Sequence, residues 1–456
     1  MQQLWEERSR GFGLSLKKLV RDTPLTEWVP RLSGPPVPPR WRPLSPTERG
    51  HLRKAAADWL SAGVVEKTRA LPWVNNPVFV EKKNGTIRTC IDCRPVNAVT
   101  NDYDWPLPRL QDLRHHTRGA LWFSRMDLKN AFFRIRVPAQ WRPYTAFVSD
   151  EVTYQFRRMP FGLKTAPATF QRFMDHGLKA YRSFCFWYID DVLIQADTLE
   201  ELRRRVALVK RRLATMGCEV NEEKSEYDVQ GLLFAGLWIY AGGQGPNHSK
   251  VEEVMRLPAP RTKKDRQSAL GLVQYLRDFV PLCAMLTASL STAANQDFVE
   301  EDFQQEWSKL TRHLAARITT LGHWAPEQPA SVYTDASGTG AAAILIQDGR
   351  IIALASRKLS PAETRYSATD REHLSLLLAA KKFRVFLQRP EGVTNVFNDH
   401  AAHVTRKDTD MTPRQARWTH IIRQWIPTIK HVKGVNNPAD YVSRWSVGTV
   451  GGQIRV

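Results

Sequence analysis

The sequence predicts a chain of several domains in which strands and helices are mixed. Three observations carry that expectation. With 456 residues, 42% of them hydrophobic, the chain is long enough for two to four cores. Two runs, LWFSRMDLKNAFFRIRV and FCFWYIDDVLIQA, have the Val, Ile, Phe and Tyr content of central strands. The runs LEELRRRVALVKRRLATMGCEV and KKDRQSALGLVQYLRDFVPLCAMLTASL carry helical apolar spacing, the first closed by Gly217. A fresh strand pattern, SVYTDASGTGAAAILIQ, then opens a new domain near His323.

In chain order, the segment from Pro24 to Pro46 is dense in proline and predicts an extended strap over the surface. Ser45-Pro46-Thr47-Glu48 opens a helix through Leu60, with proline in the first turn, and Gly63 closes it. VNNPVFVEKK and TIRTCIDCR flank Asn84-Gly85, the pattern of a tight hairpin with basic residues at its tip. A charged helical stretch from about Asp297 to Trp324 precedes the last domain.

Lys plus Arg outnumber Asp plus Glu by 66 to 46, and the net charge of +20 favours a polyanionic partner, nucleic acid first. Charge alone would equally describe a generally basic soluble protein. The five cysteines, Cys90, Cys93, Cys185, Cys218 and Cys283, are odd in number and without framework spacing, so reduced thiols in a cytosolic or nuclear setting are expected. Cys90 and Cys93 would face opposite sides of a strand, and no second pair follows at finger spacing, which argues against zinc. The opening MQQLWEERSRGFG lacks the apolar core of a signal peptide, and no stretch reaches about 18 apolar residues, so no membrane partner is expected.

Acids inside the strand-like runs need a reason. Asp127 lies in MDLKNAFF, and Asp190 and Asp191 lie in WYIDDVLI. Adjacent buried carboxylates raise one another's pKa unless a cation neutralises them, which points to divalent metal. A solitary Asp-Asp pair is more often a turn or a solvated face; the flanking FCFWYI and VLI move the balance toward a metal-holding hairpin.

PVFVEKKNGTIRTCIDCRPVN, MDLKNAFFRI, RMPFGLKTAPATFQRFMD and FWYIDDVLI occur in the order seen in reverse transcriptases. Together they cover roughly Leu71 to Ile239 and most resemble the gypsy-type long-terminal-repeat (LTR) retrotransposons. The resemblance implies an α+β right-hand polymerase of fingers, palm and thumb. It makes Asp127, Asp190 and Asp191 metal-binding catalytic carboxylates, and Lys83 and Arg88 ligands of an incoming deoxynucleoside triphosphate, with Lys82 as alternative to Lys83. Phe132 falls where a steric gate excludes the ribose 2'-hydroxyl, or else is a core phenylalanine. Phe161 stands where retroviral enzymes carry Gln, so packing replaces a polar contact. Lys224 resembles a lysine that protonates pyrophosphate, with a surface role equally open. VEEVMRLPAPRTKKDRQSALGLVQYLRDFV resembles the thumb, where Arg261 to Lys264 would suit phosphate contacts or a solvated cap.

Farther on, Asp335 in VYTDASG, Glu372 in TDREHL, Asp399 in VFNDHAAHV and Asp440 in NPADYVSRW follow the order of ribonuclease H, implying an α/β ribonuclease H-like domain with four metal-binding acids. Ser337 and Gly338 are small residues that would admit an RNA backbone or simply make a turn. His431 resembles a histidine assisting product release, with a structural role as alternative.

The expected boundaries are a tail over 1–45, fingers and palm over 46–243, thumb and linker over 244–322, and ribonuclease H over 323–456. Two Mg2+ per site are implied, with Mn2+ as alternative, and the implied partners are template-primer and RNA–DNA hybrid. The oligomeric state stays open, a homodimer being one option. The implied location is the cytoplasm, in virus-like particles, or else the nucleus. A catalytically decayed, domesticated nucleic-acid-binding protein is the rival reading, and it would be expected to have lost at least one of these acids. A viral RNA-dependent RNA polymerase is opposed by Phe132 and by the second set of acids.

Overall fold

Ser45 Oγ accepts the Glu48 N–H at 3.2 Å while Glu48 accepts the Ser45 N–H at 2.9 Å, a capping box that starts helix α1 (Pro46–Ser61). Gly63, at φ +68, turns the chain out of it into strand β1 (Val65–Thr68). The computed structural model describes residues 27–439 apart from 36, 38, 41, 70–73, 82–84, 102–104, 110–111, 282, 285–286, 288–289, 291–299, 389–393 and 401–410. Lys82, Lys83 and Asp440 therefore lie outside the described residues. The chain divides into two compact units, Met1–Ala235 and Gly236–Val456.

In the first unit, β2 (Pro77–Glu81) and β3 (Ile87–Ile91) pair as an antiparallel hairpin where the sequence predicts one, but Glu81 stands opposite Ile87, a register one residue out of step with a tight two-residue turn at Asn84-Gly85. Helix α2 (Arg94–Val99) follows. The sheet that carries the acids has the order β7-β8-β4-β9, all antiparallel, from β4 (Trp122–Leu128), β7 (Cys185–Tyr188), β8 (Asp191–Ala196) and β9 (Val220–Val229). A smaller sheet joins β1, β6 (Val152–Phe156) and β5 (Phe147–Ser149). Helices α3 (Ala166–Leu178) and α4 (Leu199–Thr215) bury Phe170, Phe173, Met174, Leu202, Val209 and Leu213 in one core with Met126, Val192 and Ile194. Gly177 lets α3 pass close to Met216, whose side chain a Cβ there would strike.

The proline-rich strap is not merely superficial. Trp28 is 1% exposed, its N–H bonds Arg136 O at 2.8 Å, and its indole donates to Thr165 Oγ1 at 2.9 Å. Proline removes backbone donors but leaves side chains free to anchor, and the large apolar indole supplies the anchor here.

In the second unit, β11 (Leu237–Tyr240), β12 (Gly243–Pro246) and β13 (Leu321–Gly322) make a small antiparallel sheet, β10 (Gly231–Phe234) being the last strand of the first unit. Helices α5 (His248–Arg256), α6 (Lys263–Tyr275) and α7 (Glu300–Arg317) enclose a core of Val254, Val273, Leu276, Trp307, Leu310 and Leu314. A separate core lies under a five-stranded sheet of order β16-β15-β14-β17-β18. Its strands are β14 (Ala330–Ala336), β15 (Gly340–Gln347), β16 (Arg350–Lys358), β17 (Thr394–Asn398) and β18 (Ile429–His431). The first three pair antiparallel, and β14-β17-β18 pair parallel. Helix α8 (Ala368–Lys382) packs on β14 and β15 and on α9 (Pro413–Arg423). Ala341 and Ala343 on β15 let α8 approach and seat its leucines. No described helix is long and apolar enough to cross a membrane.

Candidate active sites

The antiparallel register of β4 and β8 sets Asp127 directly opposite Asp191. Tyr188 pairs with Asp191, so Ile189 and Asp190 form a two-residue turn between β7 and β8. All three acids thus meet at one end of the sheet. Asn221 Nδ2 donates to Asp127 Oδ2 at 3.3 Å, and the Asp127 N–H bonds Ser225 Oγ at 3.2 Å. Burial, then the negative charge of Asp127, pushes the Asp190 carboxyl above the usual carboxylate range. Burial also pushes Asp191 up, to about 6; Arg125 opposes this, while Asp190 and Asp127 add to it. Arg125 is held by Leu233 O at 2.8 Å and Lys224 O at 3.0 Å.

Lys224 acts on both Asp190 and Asp191, and Arg88 acts on Asp190, as opposite charges. The Arg88 guanidinium also lies 5.4 Å from the centre of the Phe161 ring. Phe161 in turn packs 5.3 Å from Phe132, which stands 5.9 Å from Phe170. Phe132 is half-buried in a 3-10 turn after Asn130, whose φ is +48. The structure therefore gathers Arg88, Phe161 and Phe132 into one aromatic and cationic cluster, of which Arg88 reaches Asp190 electrostatically.

The second set converges more tightly. Asp335 on β14, Glu372 on α8 and Asp399 just past β17 offer carboxylate oxygens that all lie within 4.8 Å of one another, the only such cluster among the described residues. Parallel pairing of β14 with β17 brings the two strand ends together, and α8 crosses them. Asp335 is 0% exposed and Glu372 7%. Burial first, then Asp335, pushes Glu372 up to about 8. Its two oxygens accept the Ala336 N–H at 3.1 Å and Asn398 Nδ2 at 3.0 Å. The donor set fits a divalent cation: acceptor-only, hard oxygens, with like charges that burial makes costly. His431 Nε2 lies 3.1 Å from Asp399 O, and a Cβ on Gly434 would come within 3.2 Å of Asp399 Oδ2. Ser337 closes a turn by accepting the Gly340 N–H at 3.1 Å.

Several supporting residues escaped the sequence reading. Asn398 is fully buried and joins Glu372 to Thr334, while Asn221 and Arg125 steady Asp127 and Asp191. Only the polar interruption of an apolar strand, as in VFND, could have marked Asn398.

Residues 80–239 match the family described as reverse transcriptase (RNA-dependent DNA polymerase), and residues 325–425 match the RNase H-like domain found in reverse transcriptase. An enzymatic polyprotein of Cauliflower mosaic virus (strain CM-1841) is 27% identical over 464 residues, covering 94% of this chain and 67% of its own. The Transposon Tf2-3 polyprotein of Schizosaccharomyces pombe is 28% identical over 426 residues, covering 90% of this chain and 31% of its own. The chain thus spans about two thirds of the one and under a third of the other. A foamy viral protease-reverse transcriptase solved with dsDNA superposes with a TM-score of 0.77 at 20% identity over 92% of each chain. One solved with RNA/DNA hybrid gives 0.73 at 19% identity over 97% of this chain and 65% of that one. The fold is accordingly the mixed α and β fold of these enzymes.

Proposed function

We infer that this chain, a reverse transcriptase followed by a ribonuclease H domain, is the DNA-synthesising and RNA-degrading part of a gypsy-type LTR retrotransposon. It copies RNA or DNA templates into DNA and cleaves the RNA strand of RNA–DNA hybrids. The observation that carries this reading is the presence of two carboxylate sites, each built on its own sheet and its own core. A decayed binding protein would have no use for Asp335 and Glu372 buried against each other, because such a pair costs stability and is repaired by neutral substitution.

Asp127, Asp190 and Asp191 would hold Mg2+ at the first site, and Asp335, Glu372 and Asp399, with Asp440, at the second. Bound divalent cations supply the charge that favours attack of a hydroxyl or water on phosphorus and stabilises the leaving oxygen. The chain's own residues do the rest. Arg88, with Lys83 or Lys82, binds the triphosphate of the incoming deoxynucleotide, and a guanidinium suits that role through its bidentate fork. Phe132, braced by Phe161 and Phe170, sets the floor beside the sugar and excludes a 2'-hydroxyl. His431 meets the backbone carbonyl of Asp399, and Gly434, having no Cβ, leaves room beside the partly open carboxylate.

The high net positive charge supports binding of template-primer and hybrid through phosphates. Reduced thiols at all five cysteines fit a cytoplasmic particle. Primer extension on a defined RNA template with Mg2+, offering deoxynucleotides or ribonucleotides, tests the polymerase reading. Extension with neither, by folded protein that binds the template-primer, would refute it.

A further inference from the structure

We propose that Gln171 and Asp175 are a positioning pair that locks the turn carrying Asp190. The inference rests on the polymerase reading of Asp127, Asp190 and Asp191. Ile189, the first residue of that turn, has φ +56. A two-residue hairpin turn places glycine or asparagine in such a position, and a β-branched residue there is strained. Something outside the turn must hold it.

The Ile189 N–H, which no ladder bond satisfies, donates to Gln171 Oε1 at 2.8 Å. Gln171 lies on α3, is 0% exposed, and donates through Nε2 to Asp175 Oδ1 at 3.0 Å, one turn along the same helix face. An ionised carboxylate can only accept, so Asp175 fixes which end of the Gln171 amide faces the turn. The carbonyl must then point at Ile189.

Asp175 is itself tied down from two more directions. Trp187 Nε1 donates to Oδ1 and Trp105 Nε1 to Oδ2, each at 2.7 Å, and Arg182 stands 3.7 Å away. Asp175 lines a largely apolar cavity of about 730 Å3 together with Trp105, Leu107, Phe186 and Trp187. A charge on such a wall is costly, and packing between α3 and β7 would not require one. An acceptor of three fixed donors that orients a glutamine amide does require one. The chain from Trp105 through Asp175 and Gln171 to Ile189 thus sets where Asp190 presents its oxygens.

The test uses the full chain with Gln171→Met, Asp175→Asn and Asp190→Asn/Asp191→Asn, the last as reference. Deoxynucleotide incorporation is measured against Mg2+ concentration, alongside template-primer affinity and hybrid cleavage. Both positioning variants are expected to raise the Mg2+ midpoint for polymerisation about 10-fold and to lower kcat, with template-primer affinity and hybrid cleavage unchanged. Asp175→Asn keeps size, so it carries the test if Gln171→Met loses template-primer binding through misfolding. Adding Ile189→Gly, which relaxes the turn, should shrink the penalty of Gln171→Met.

A parental Mg2+ midpoint in both variants, or a penalty that Ile189→Gly leaves intact, would overturn the proposal. If the reference double variant still polymerises, the underlying polymerase site is wrong instead.

Discussion

The ribonuclease H site should be a weak point of the metal-free protein, and Glu372→Gln should strengthen it. Glu372 is raised from 4.5 to about 8, mainly by burial and next by Asp335. For a carboxyl raised in the folded state, protonation favours folding. The stabilisation is complete below about 4.5 and is lost as pH rises through about 8. At about 1.4 kcal/mol per pH unit, that interval corresponds to at most about 5 kcal/mol. The gain on substitution is smaller. A glutamine keeps an acceptor for the Ala336 N–H but turns its NH2 toward the NH2 of Asn398, at a cost of about 1–2 kcal/mol. A net gain of about 1–3 kcal/mol at pH 8 follows, or roughly 2–8 °C in the melting of the second unit. Thermal denaturation of the full chain in EDTA at pH 5 and pH 8, with amide exchange over β14 and α8 to isolate that unit, reads it directly. The parent should lose stability from pH 5 to 8 and regain it with Mg2+. The variant should be flat in pH, gain little from Mg2+, and cleave no hybrid. A variant no more stable than the parent at pH 8 in EDTA would refute the reasoning.

The two activities should also separate. Asp190→Asn/Asp191→Asn should lower primer extension by orders of magnitude and leave hybrid cleavage standing, since the clusters belong to different sheets, as parallel assays on one template would record. Phe132→Val should weaken discrimination against ribonucleotides while deoxynucleotide incorporation stays measurable; an unchanged ratio of the two kcat/KM values would remove the steric-gate assignment. Trp28→Ala should destabilise the first unit by about 3–5 kcal/mol, seen as a lower denaturant midpoint, because it empties a fully buried site and orphans Thr165 Oγ1. Deleting the strap through Leu44 should therefore impair the first unit.

What the sequence revealed and what it hid divide along the range of the interactions involved. Helix starts were legible because capping is local: Ser45 and Glu48 are three residues apart and satisfy each other. Asp127 and Asp335 stood out because a charge inside an apolar strand breaks a local pattern, whereas Asp190 in its turn, Glu372 on a helix and Asp399 past a strand end were reached through the order of the motifs around them. The residues that aim those acids were not, since Gln171 meets Ile189 across 18 positions, Asn398 meets Glu372 across 26, and Asn221 meets Asp127 across 94. No periodicity links such pairs; only the folded sheet does. Trp28 was hidden for the same reason, because proline density describes a backbone and says nothing about a single indole reaching Thr165. The fold makes Ile189 and Asp190 of WYIDDVLI a two-residue turn and puts isoleucine where glycine or asparagine would be comfortable, so local preference and global fold disagree at that residue. Such disagreement persists where the surrounding structure over-determines the backbone, and it marks the turn next to Asp190 as a place where stability was exchanged for geometry.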